Sequence, residues 1–277
     1  MDTGRISFGS FPARQRIFMR VSPLPFQVNE AINTLRGNIQ LSGFDIKVVG
    51  ITSALKHEGK SSLSFRLAQS FAALEKRTIY VDCDIRNSQT LSRYKVHRQC
   101  EGLTEFLCGK TRFENIVFQT ENPFLYVIFT GSMAPNPSEL FSGKLFGEML
   151  QALRNEYDYV IVDTPPINAV IDGVLISKHC DGTVLVVESG ATDRAQVQHA
   201  KQQLDFAGVK LLGVALNKIG TRRSGYGYGY GYGYGYGHHY GYGYGYGYGQ
   251  DEKKKKRKRE GKKKQPKAQQ TIKTDGQ

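Results

Sequence analysis

The feature that most constrains this chain is a Gly-Lys-Ser sequence at residues 59–61, between an apolar run and a helical pattern. The apolar run, Val48–Ile51, predicts a strand. After the loop, apolar side chains recur at helical spacing, at Leu63, Leu67, Phe71 and Leu74. A strand, a loop and a helix in this order make a phosphate-binding site, because loop amides and the positive end of the helix dipole face the anion.

The loop matches the pattern G-x-x-x-x-G-K-[ST], except that Ala54 replaces the first glycine. In that pattern the lysine, Lys60, reaches the β- and γ-phosphates, and the hydroxyl of Ser61 binds Mg²⁺. A chance Gly-Lys-Ser in a surface turn is the alternative, and the flanking strand and helix argue against it. The predicted phosphate-binding segment is Glu58, Gly59, Lys60, Ser61 and Ser62.

Three acidic residues follow two predicted strands downstream of this loop. The run 77–81 leads into Asp82 and Asp84, and the run 159–162 leads into Asp163. Ligands of open parallel sheets lie at the carboxyl ends of strands, so these acids can meet a bound nucleotide. An apolar strand that ends in Asp is the Walker B form, in which the Asp orients Mg²⁺ or its waters. One acid alone would be an ordinary strand cap, but three at two strand ends favour a nucleotide site.

Apolar strands alternate with helical patterns, which predicts an α/β fold with a mostly parallel sheet covered by helices on both faces. Further strands are predicted at 125–129, 183–187 and 211–217, and helices at 29–41, 102–107, 140–153 and 195–206. Asn136 and Pro137 predict the start of the helix that continues through 140–153. His57 and His179 are interpreted as surface residues rather than ligands.

The net charge of +13 is unevenly distributed. Residues 222–277 carry 14 Lys/Arg against 4 Asp/Glu, which is +10, so residues 1–221 carry +3. Because most of the positive charge lies in residues 222–277, the sequence does not support a nucleic-acid-binding domain in residues 1–221. No run approaches 18 apolar residues, so neither a membrane span nor a secretory signal is expected. The four cysteines show no metal-binding spacing and are typical of a reducing compartment: Cys83, Cys100, Cys108 and Cys180.

Three motifs in this order resemble the bacterial tyrosine kinases of capsule and exopolysaccharide synthesis, of the type without its own transmembrane segment. They are I-T-S-A-L-K-H-E-G-K-S-S, Y-V-D-C-D-I-R and Y-V-I-V-D-T-P-P, at residues 51–62, 80–86 and 159–166. The resemblance covers residues 26–221. It includes V-A-L-N-K at residues 214–218, which resembles the family's segment beside the adenine and contains Asn217. Eukaryotic-type kinases are excluded, because H-R-D and D-F-G are missing.

The resemblance implies a P-loop NTPase-like fold that uses ATP and Mg²⁺. It implies catalytic roles for Lys60, Asp82, Asp84 and Asp163, with Ser61, Asp82 and Asp163 as metal-binding candidates. Asp82 is the candidate acceptor of the phenol proton, and Asp84 supports the metal or the substrate. A non-kinase ATPase that positions cargo is the alternative. Partitioning ATPases of this class carry a signature lysine where this chain has Leu55, which favours the kinase.

The chain departs from the family pattern in two places. The E-x-x-R-x-x-R motif of ring contacts falls on Glu30, Asn33 and Arg36, with Asn33 in place of an arginine. Lys56 and His57 stand where the family usually has Pro and Gly. Glu30 and Arg36 are therefore predicted oligomer contacts, in a ring whose contact is altered at Asn33.

Residues 225–249 alternate Gly and Tyr around His238 and His239. One interpretation is a self-associating spacer, or a weak strand. Beside a kinase core, phosphate acceptors are favoured, because glycine neighbours leave each phenol unobstructed. The candidates are Tyr226, Tyr228, Tyr230, Tyr232, Tyr234, Tyr236, Tyr240, Tyr242, Tyr244, Tyr246 and Tyr248. The basic run 253–264 is either a solubilising terminus or a site of attraction to anionic lipid.

The expected organisation is an N-terminal arm at 1–26, a P-loop tyrosine kinase domain at 27–221, a disordered Gly/Tyr-rich tail at 222–249 and a polybasic tail at 250–277. The resemblance also implies partners: a transmembrane adaptor of the polysaccharide co-polymerase type, further copies of the chain in a ring, and a tyrosine phosphatase. An anionic membrane surface is a further candidate, and no specific nucleic acid is expected. The expected location is cytoplasmic, at the inner face of the membrane through the adaptor.

Overall fold

The structure is a computed structural model that describes residues 15–96 and 100–220. The Gly/Tyr-rich and polybasic segments, with all predicted acceptor tyrosines, lie outside the described residues, as do residues 1–14 of the predicted arm. Over the described residues, no helix is long and apolar enough to cross a membrane.

The strands are β1 Gln15–Arg16, β2 Val48–Ser53, β3 Thr78–Asp82, β4 Phe118–Gln119, β5 Leu125–Ile128, β6 Tyr159–Asp163, β7 Gly182–Glu188 and β8 Leu211–Asn217. The helices are α1 Phe26–Leu41, α2 Lys60–Ala72, α3 Thr90–Arg93, α4 Leu103–Leu107, α5 Pro137–Ser142, α6 Lys144–Glu156, α7 Asp172–Ser177 and α8 Arg194–Phe206.

The strands form an eight-stranded sheet in the order β1-β4-β5-β3-β6-β2-β7-β8. Every pair is parallel except β4 with β5. The central strands β2 and β3 are buried throughout, as expected for strands covered on both faces. The predicted α/β class with a mostly parallel sheet is confirmed.

Alternate residues of β3 enter different cores, because successive side chains of a strand point to opposite faces. Ile79 and Val81 join the core that contains the buried residues of α6. Tyr80, between them, joins the core that contains the buried residues of α2. The predicted helices on both faces are therefore confirmed.

The prediction of one continuous helix over 140–153 is wrong. The segment forms two helices, α5 and α6, because Gly143 takes an extended conformation with φ −68° and ψ 148°. Pro137 does open α5, but the Asn136 side chain does not cap it. Leu74, predicted on the buried face of α2, lies beyond the helix end and is half exposed.

Residues 15–25 of the predicted arm belong to the folded body at the edge of the sheet. Gln15 and Arg16 pair with Phe118 and Gln119 of β4. Beyond this short strand, Ile17 and Met19 are buried. The backbone amide of Met19 donates a hydrogen bond of 2.8 Å to Glu121.

Replacing Phe71 by alanine tests the packing of α2 on the sheet. Phe71 is fully buried, and its ring stacks on Tyr159 with centroids 3.9 Å apart. We expect Phe71→Ala to lower the free energy of unfolding by about 3–5 kcal/mol in urea titrations, because buried Phe→Ala changes leave a cavity. Phe206→Ala, at an exposed ring, is the matched control and leaves the unfolding midpoint near that of the wild type. Equal effects of the two changes would contradict this packing.

Candidate active site

The predicted phosphate-binding loop and the acids meet at one edge of the sheet. The loop leaves β2 and ends at Lys60, the first residue of α2. In the register of the sheet, Asp163 of β6 pairs with Asp82 of β3 on one side and with Ile51 of β2 on the other. Residues far apart in the sequence are thereby brought beside the loop.

The loop depends on glycine at position 59. Gly59 has a φ of +95°, which side-chain-bearing residues rarely adopt. A Cβ atom there would lie 2.2 Å from Asn217 Nδ2, which donates a 2.8 Å hydrogen bond to the Glu58 carbonyl. The end of β8 thus holds the loop against the start of α2.

The departures from the usual loop sequence are accommodated by local contacts. Ala54, in place of the first glycine, is fully buried in an apolar cluster with Ile167 and Leu185. His57 is exposed and has a φ of +67°, and its carbonyl accepts a 2.6 Å hydrogen bond from Lys218 Nζ. The surface positions predicted for His57 and His179 are confirmed.

The Glu58 side chain does not face the candidate nucleotide site. Its buried carboxylate accepts hydrogen bonds from the Leu55 amide at 2.6 Å, the Glu188 amide at 3.1 Å and the Thr192 hydroxyl. These bonds fasten the loop to the end of β7. The nucleotide-binding prediction for Glu58 is therefore restricted to its backbone.

Lys60 is the centre of charge in the site. Its Nζ atom lies 2.6 Å from Asp84 Oδ2, 3.6 Å from Asp163 Oδ1 and 3.2 Å from the Ser61 hydroxyl oxygen. Burial acts to lower the pKa of Lys60, but the charges of Asp163 and Asp84 outweigh it, so the pKa is raised. The lysine therefore stays protonated, and incoming phosphates would compete with carboxylates for it.

Asp82 lies behind this ion pair. It is buried, and it accepts hydrogen bonds from the Ser88 hydroxyl at 2.7 Å, the Thr90 hydroxyl and the Asp84 amide at 3.2 Å. Burial, and then the charge of Asp163, raise the pKa of Asp82 to about 6, although the two hydroxyls oppose the rise. A carboxylate with this pKa is a stronger base than an ordinary aspartate.

Asp163 presents its two oxygens differently. Oδ2 accepts a 3.1 Å hydrogen bond from the Tyr80 hydroxyl. Oδ1 is buried and has no hydrogen-bond donor among the described residues. Burial raises the pKa of Asp163, and the Lys60 charge offsets part of that rise.

A cleft of about 700 Å³ lies in front of the loop. This volume is within the range of small-molecule sites. Lys60, Ser61, Ser62, Asp84, Pro165 and Asn217 are among its lining residues. Asp84, two residues beyond the end of β3, reaches the cleft wall, whereas Asp82 is not among the lining residues.

The sequence and the fold resemble those of known proteins. A family profile described as "AAA domain" matches residues 46–191. Tyrosine-protein kinase CpsD of Streptococcus pneumoniae serotype 4 is 42% identical over 193 residues, which cover 70% of this chain and 85% of that protein. The kinase domain of Escherichia coli tyrosine kinase ETK superposes with a TM-score of 0.68 at 29% identity, covering 78% of this chain and 88% of that domain.

The chain belongs to the bacterial tyrosine-kinase family. The family resemblance predicted from the three motifs is confirmed. The septum site-determining protein MinD of Pyrococcus horikoshii, in complex with Mg-ADP, shares the fold alone, with a TM-score of 0.56 at 18% identity over 64% of this chain and 72% of that one. The P-loop NTPase-like fold of this bacterial tyrosine kinase is also confirmed.

The residues of this bacterial tyrosine kinase fit a Mg²⁺ ion bound together with a nucleotide. Within the described residues, no group of three or more His, Cys, Asp or Glu side chains forms a complete cage. Mg²⁺ in phosphate-transferring proteins is bound by one or two carboxylates, with phosphates and waters as the other ligands. The Oδ1 atom of Asp163, which accepts no hydrogen bond among the described residues and lies 3.6 Å from Lys60 Nζ, and the Ser61 hydroxyl beside Lys60 provide such a partial set.

The predicted oligomer contacts on α1 differ in their surroundings. Arg36 Nη1 donates hydrogen bonds to the Ser70 carbonyl at 2.8 Å, the Ser70 hydroxyl at 2.6 Å and the Asn33 side chain at 3.2 Å. Glu30 is exposed and accepts a 3.0 Å bond from Asn33. Asn33 therefore links the two residues within one chain, and their contact with a second copy stays a prediction.

Sequence reasoning missed three hydroxyl residues that contact the acids, namely Tyr80, Ser88 and Thr90. The only signal for Tyr80 was a phenol between two apolar residues, Ile79 and Val81. Ser88 and Thr90 lie in an irregular segment after β3, and no pattern distinguished them.

Replacing Gly59 by alanine tests the loop geometry. We expect Gly59→Ala to lose most affinity for ADP in calorimetry, because the new methyl would collide with Asn217 and the φ of +95° would be strained. Gly37→Ala is the control, since a Cβ there meets nothing within 4 Å and alanine favours a helix. Unchanged ADP affinity of a folded Gly59→Ala protein would refute the close approach.

Proposed function

We propose that this chain is an ATP-dependent protein-tyrosine autokinase whose acceptors are the 11 tyrosines of its own Gly/Tyr-rich tail. The observation that carries the proposal is the position of Lys60 at a phosphate-binding loop, with its Nζ atom 2.6 Å from Asp84 and 3.6 Å from Asp163. Membership in the tyrosine-kinase family supplies the class of reaction. Four residues, 221–224, separate the last described residue, Gly220, from the start of the Gly/Tyr-rich segment at 225.

The proposed reaction transfers the γ-phosphoryl group of ATP to a phenol oxygen. The bond from phosphorus to the phenol oxygen forms as the bond to the β-phosphate oxygen breaks. Lys60 and the loop amides hold the β- and γ-phosphates, and Asn217 lies at the adenine side of the cleft. Mg²⁺, when bound with ATP at Ser61 and Asp163, neutralises charge on the phosphates.

The phenol proton is proposed to pass to Asp82, whose pKa of about 6 suits a base near neutral pH. In this structure the hydroxyls of Ser88 and Thr90 both donate hydrogen bonds to the Oδ2 atom of Asp82. This role therefore requires residues 84–90 to shift when the substrate binds. Asp84, on the cleft wall, is proposed to support the metal or the substrate.

The wider role rests on the family. We propose phosphorylation in trans within a ring, through contacts that include Glu30 and Arg36. A transmembrane adaptor would hold the chain at the cytoplasmic face of the membrane, and a tyrosine phosphatase would reverse the reaction. The process proposed to be regulated is polymerisation and export of a capsular or extracellular polysaccharide.

Lys60→Met tests the kinase proposal. Incubation of the full chain with ATP and Mg²⁺, followed by mass mapping, is expected to find phosphate on the tail tyrosines of the wild type and none in Lys60→Met. The change removes a charge-assisted hydrogen bond of about 1.5–3 kcal/mol and stabilisation of the transition state. Lys178→Met, at an exposed lysine, is the control. Tail phosphorylation that persists in folded Lys60→Met would sink the mechanism, and ATP hydrolysis without tail phosphate in the wild type would favour an ATPase switch.

The pH dependence tests Asp82. We expect kcat/KM to fall as pH drops below about 6, because protonated Asp82 cannot accept the phenol proton. Asp82→Asn is expected to reduce turnover strongly while ATP still binds, whereas Asp84→Asn also weakens the binding of Mg²⁺ with ATP. If Asp82→Asn lowers nucleotide affinity and turnover by the same factor, Asp82 is a metal ligand rather than the base.

The tail charge suggests an electrostatic switch. Residues 250–277 carry 12 Lys/Arg against 4 Asp/Glu, or +8, and each phosphotyrosine adds about −1.5 to −2. About four or five phosphates would cancel the basic charge. We expect hyperphosphorylated protein to bind anionic vesicles more weakly than unphosphorylated protein and to assemble less, by flotation and sizing at low and physiological salt. Equal vesicle affinity and equal size of the two forms would defeat this prediction.

A further inference from the structure

Tyr80 is a buried phenol in a strand whose neighbouring side chains are apolar. It lies in the middle of β3 with no exposed surface, between Ile79 and Val81. Most buried tyrosine hydroxyls have a hydrogen-bond partner. Its partner is the Walker B acid: the hydroxyl lies 3.1 Å from Asp163 Oδ2 and 3.4 Å from the Thr90 hydroxyl.

The available protons decide which of these contacts are hydrogen bonds. A tyrosine hydroxyl and a threonine hydroxyl each carry one proton, and a carboxylate carries none. The Thr90 hydroxyl donates its hydrogen bond to Asp82 Oδ2, and the Tyr80 hydroxyl donates its hydrogen bond to Asp163 Oδ2. Thr90 is therefore a donor to Asp82, and Tyr80 is the donor to Asp163.

Packing fixes the position of the Tyr80 hydroxyl. Its ring meets the ring of Phe65 edge-on, with centroids 5.4 Å apart and planes at 87°. Phe65 in turn packs on Tyr94 at 4.2 Å. Because Phe65 belongs to α2, the helix that begins with Lys60, the phenol and the phosphate-binding lysine are positioned by the same packed elements.

The two oxygens of Asp163 then have separate roles. Oδ2 is bonded to Tyr80, so the carboxylate cannot rotate without losing that bond. Oδ1 has no hydrogen-bond donor among the described residues and lies 3.6 Å from Lys60 Nζ. We propose that Tyr80 is a positioning residue that holds Asp163 by one oxygen and keeps the other directed to the Mg²⁺ of the bound nucleotide. This proposal rests on the proposed function, because it concerns the same site.

Tyr157, in the hydrophobic core on the other face of the sheet, is a matched control. Tyr157 is also buried, and its hydroxyl has no hydrogen-bond partner among the described residues. Its ring contacts Tyr126, with centroids 5.2 Å apart, at the opposite end of the sheet from the loop. Tyr80→Phe and Tyr157→Phe thus remove one buried hydroxyl each, but only the first hydroxyl is bonded to an acid.

The experiment measures ADP binding to the full chain by calorimetry over a Mg²⁺ titration. In Tyr80→Phe we expect a rise of about tenfold in the Mg²⁺ concentration that gives half of the maximal change in ADP affinity. This is the low end of the losses in metal affinity that follow removal of a hydrogen-bond partner of a metal ligand. ADP affinity without Mg²⁺ is expected to stay at the wild-type value. Tyr157→Phe is expected to match the wild type in both measurements.

Kinase assays add a second readout. Half-maximal tail phosphorylation by Tyr80→Phe is expected at a correspondingly higher Mg²⁺ concentration, with recovery of rate when Mg²⁺ is raised. Thermal unfolding checks that each variant is folded, and Tyr80→Met replaces Tyr80→Phe if the latter does not fold. An unchanged Mg²⁺ midpoint in the folded variant, or equal shifts in Tyr80→Phe and Tyr157→Phe, would overturn the proposal. ADP binding reports on Tyr80 even if the wild type phosphorylates no tyrosine, so failure of the kinase proposal is distinguishable.

Discussion

The site depends on one buried positive charge. Lys60 Nζ lies between Asp84 and Asp163, and all three side chains are almost fully removed from water. A buried charge is tolerated only where opposite charges and hydrogen bonds compensate it. The lysine therefore compensates two carboxylates that the ends of β3 and β6 bring together. Burial raises the pKa values of Asp82 and Asp163, and the charge of Lys60 offsets part of each rise, so without the lysine these two acids would be closer to their neutral forms.

This arrangement makes nucleotide binding an exchange of ionic partners. Phosphates that reach Lys60 must compete with Asp84, its partner at 2.6 Å. Acids that lose contact with the lysine then need another cation, and the phosphates need further positive charge. A divalent ion between the phosphates and Asp163 would meet both needs, because it balances the charges that the exchange leaves unpaired. In the proposed function, phosphate binding at Lys60 would therefore favour binding of a metal ion at Asp163.

The sequence predicted those features of the fold and the site that follow from a local or repeated residue pattern. Strand and helix positions, Lys60 and the three acids followed from apolar runs, a known loop and acids at strand ends. The contacts of the Glu58 side chain were not predicted, because its partners at Glu188 and Thr192 come from a distant part of the chain and no local pattern encodes them. Tyr80 was missed for the same reason: its role depends on the pairing of β3 with β6. Gly143 broke a helix that amphipathic spacing alone predicted as continuous.

The order of strands explains why this site forms only in the completed sheet. Asp82 and Asp163 are 81 positions apart in the sequence, yet they are register partners because β6 lies between β3 and β2. Closing so long a loop costs conformational entropy before the pairing can compensate it. Until β6 is in place, Lys60 lacks one carboxylate partner and the Tyr80 hydroxyl lacks its acceptor. Formation of the charged site and completion of the central sheet are therefore one cooperative event.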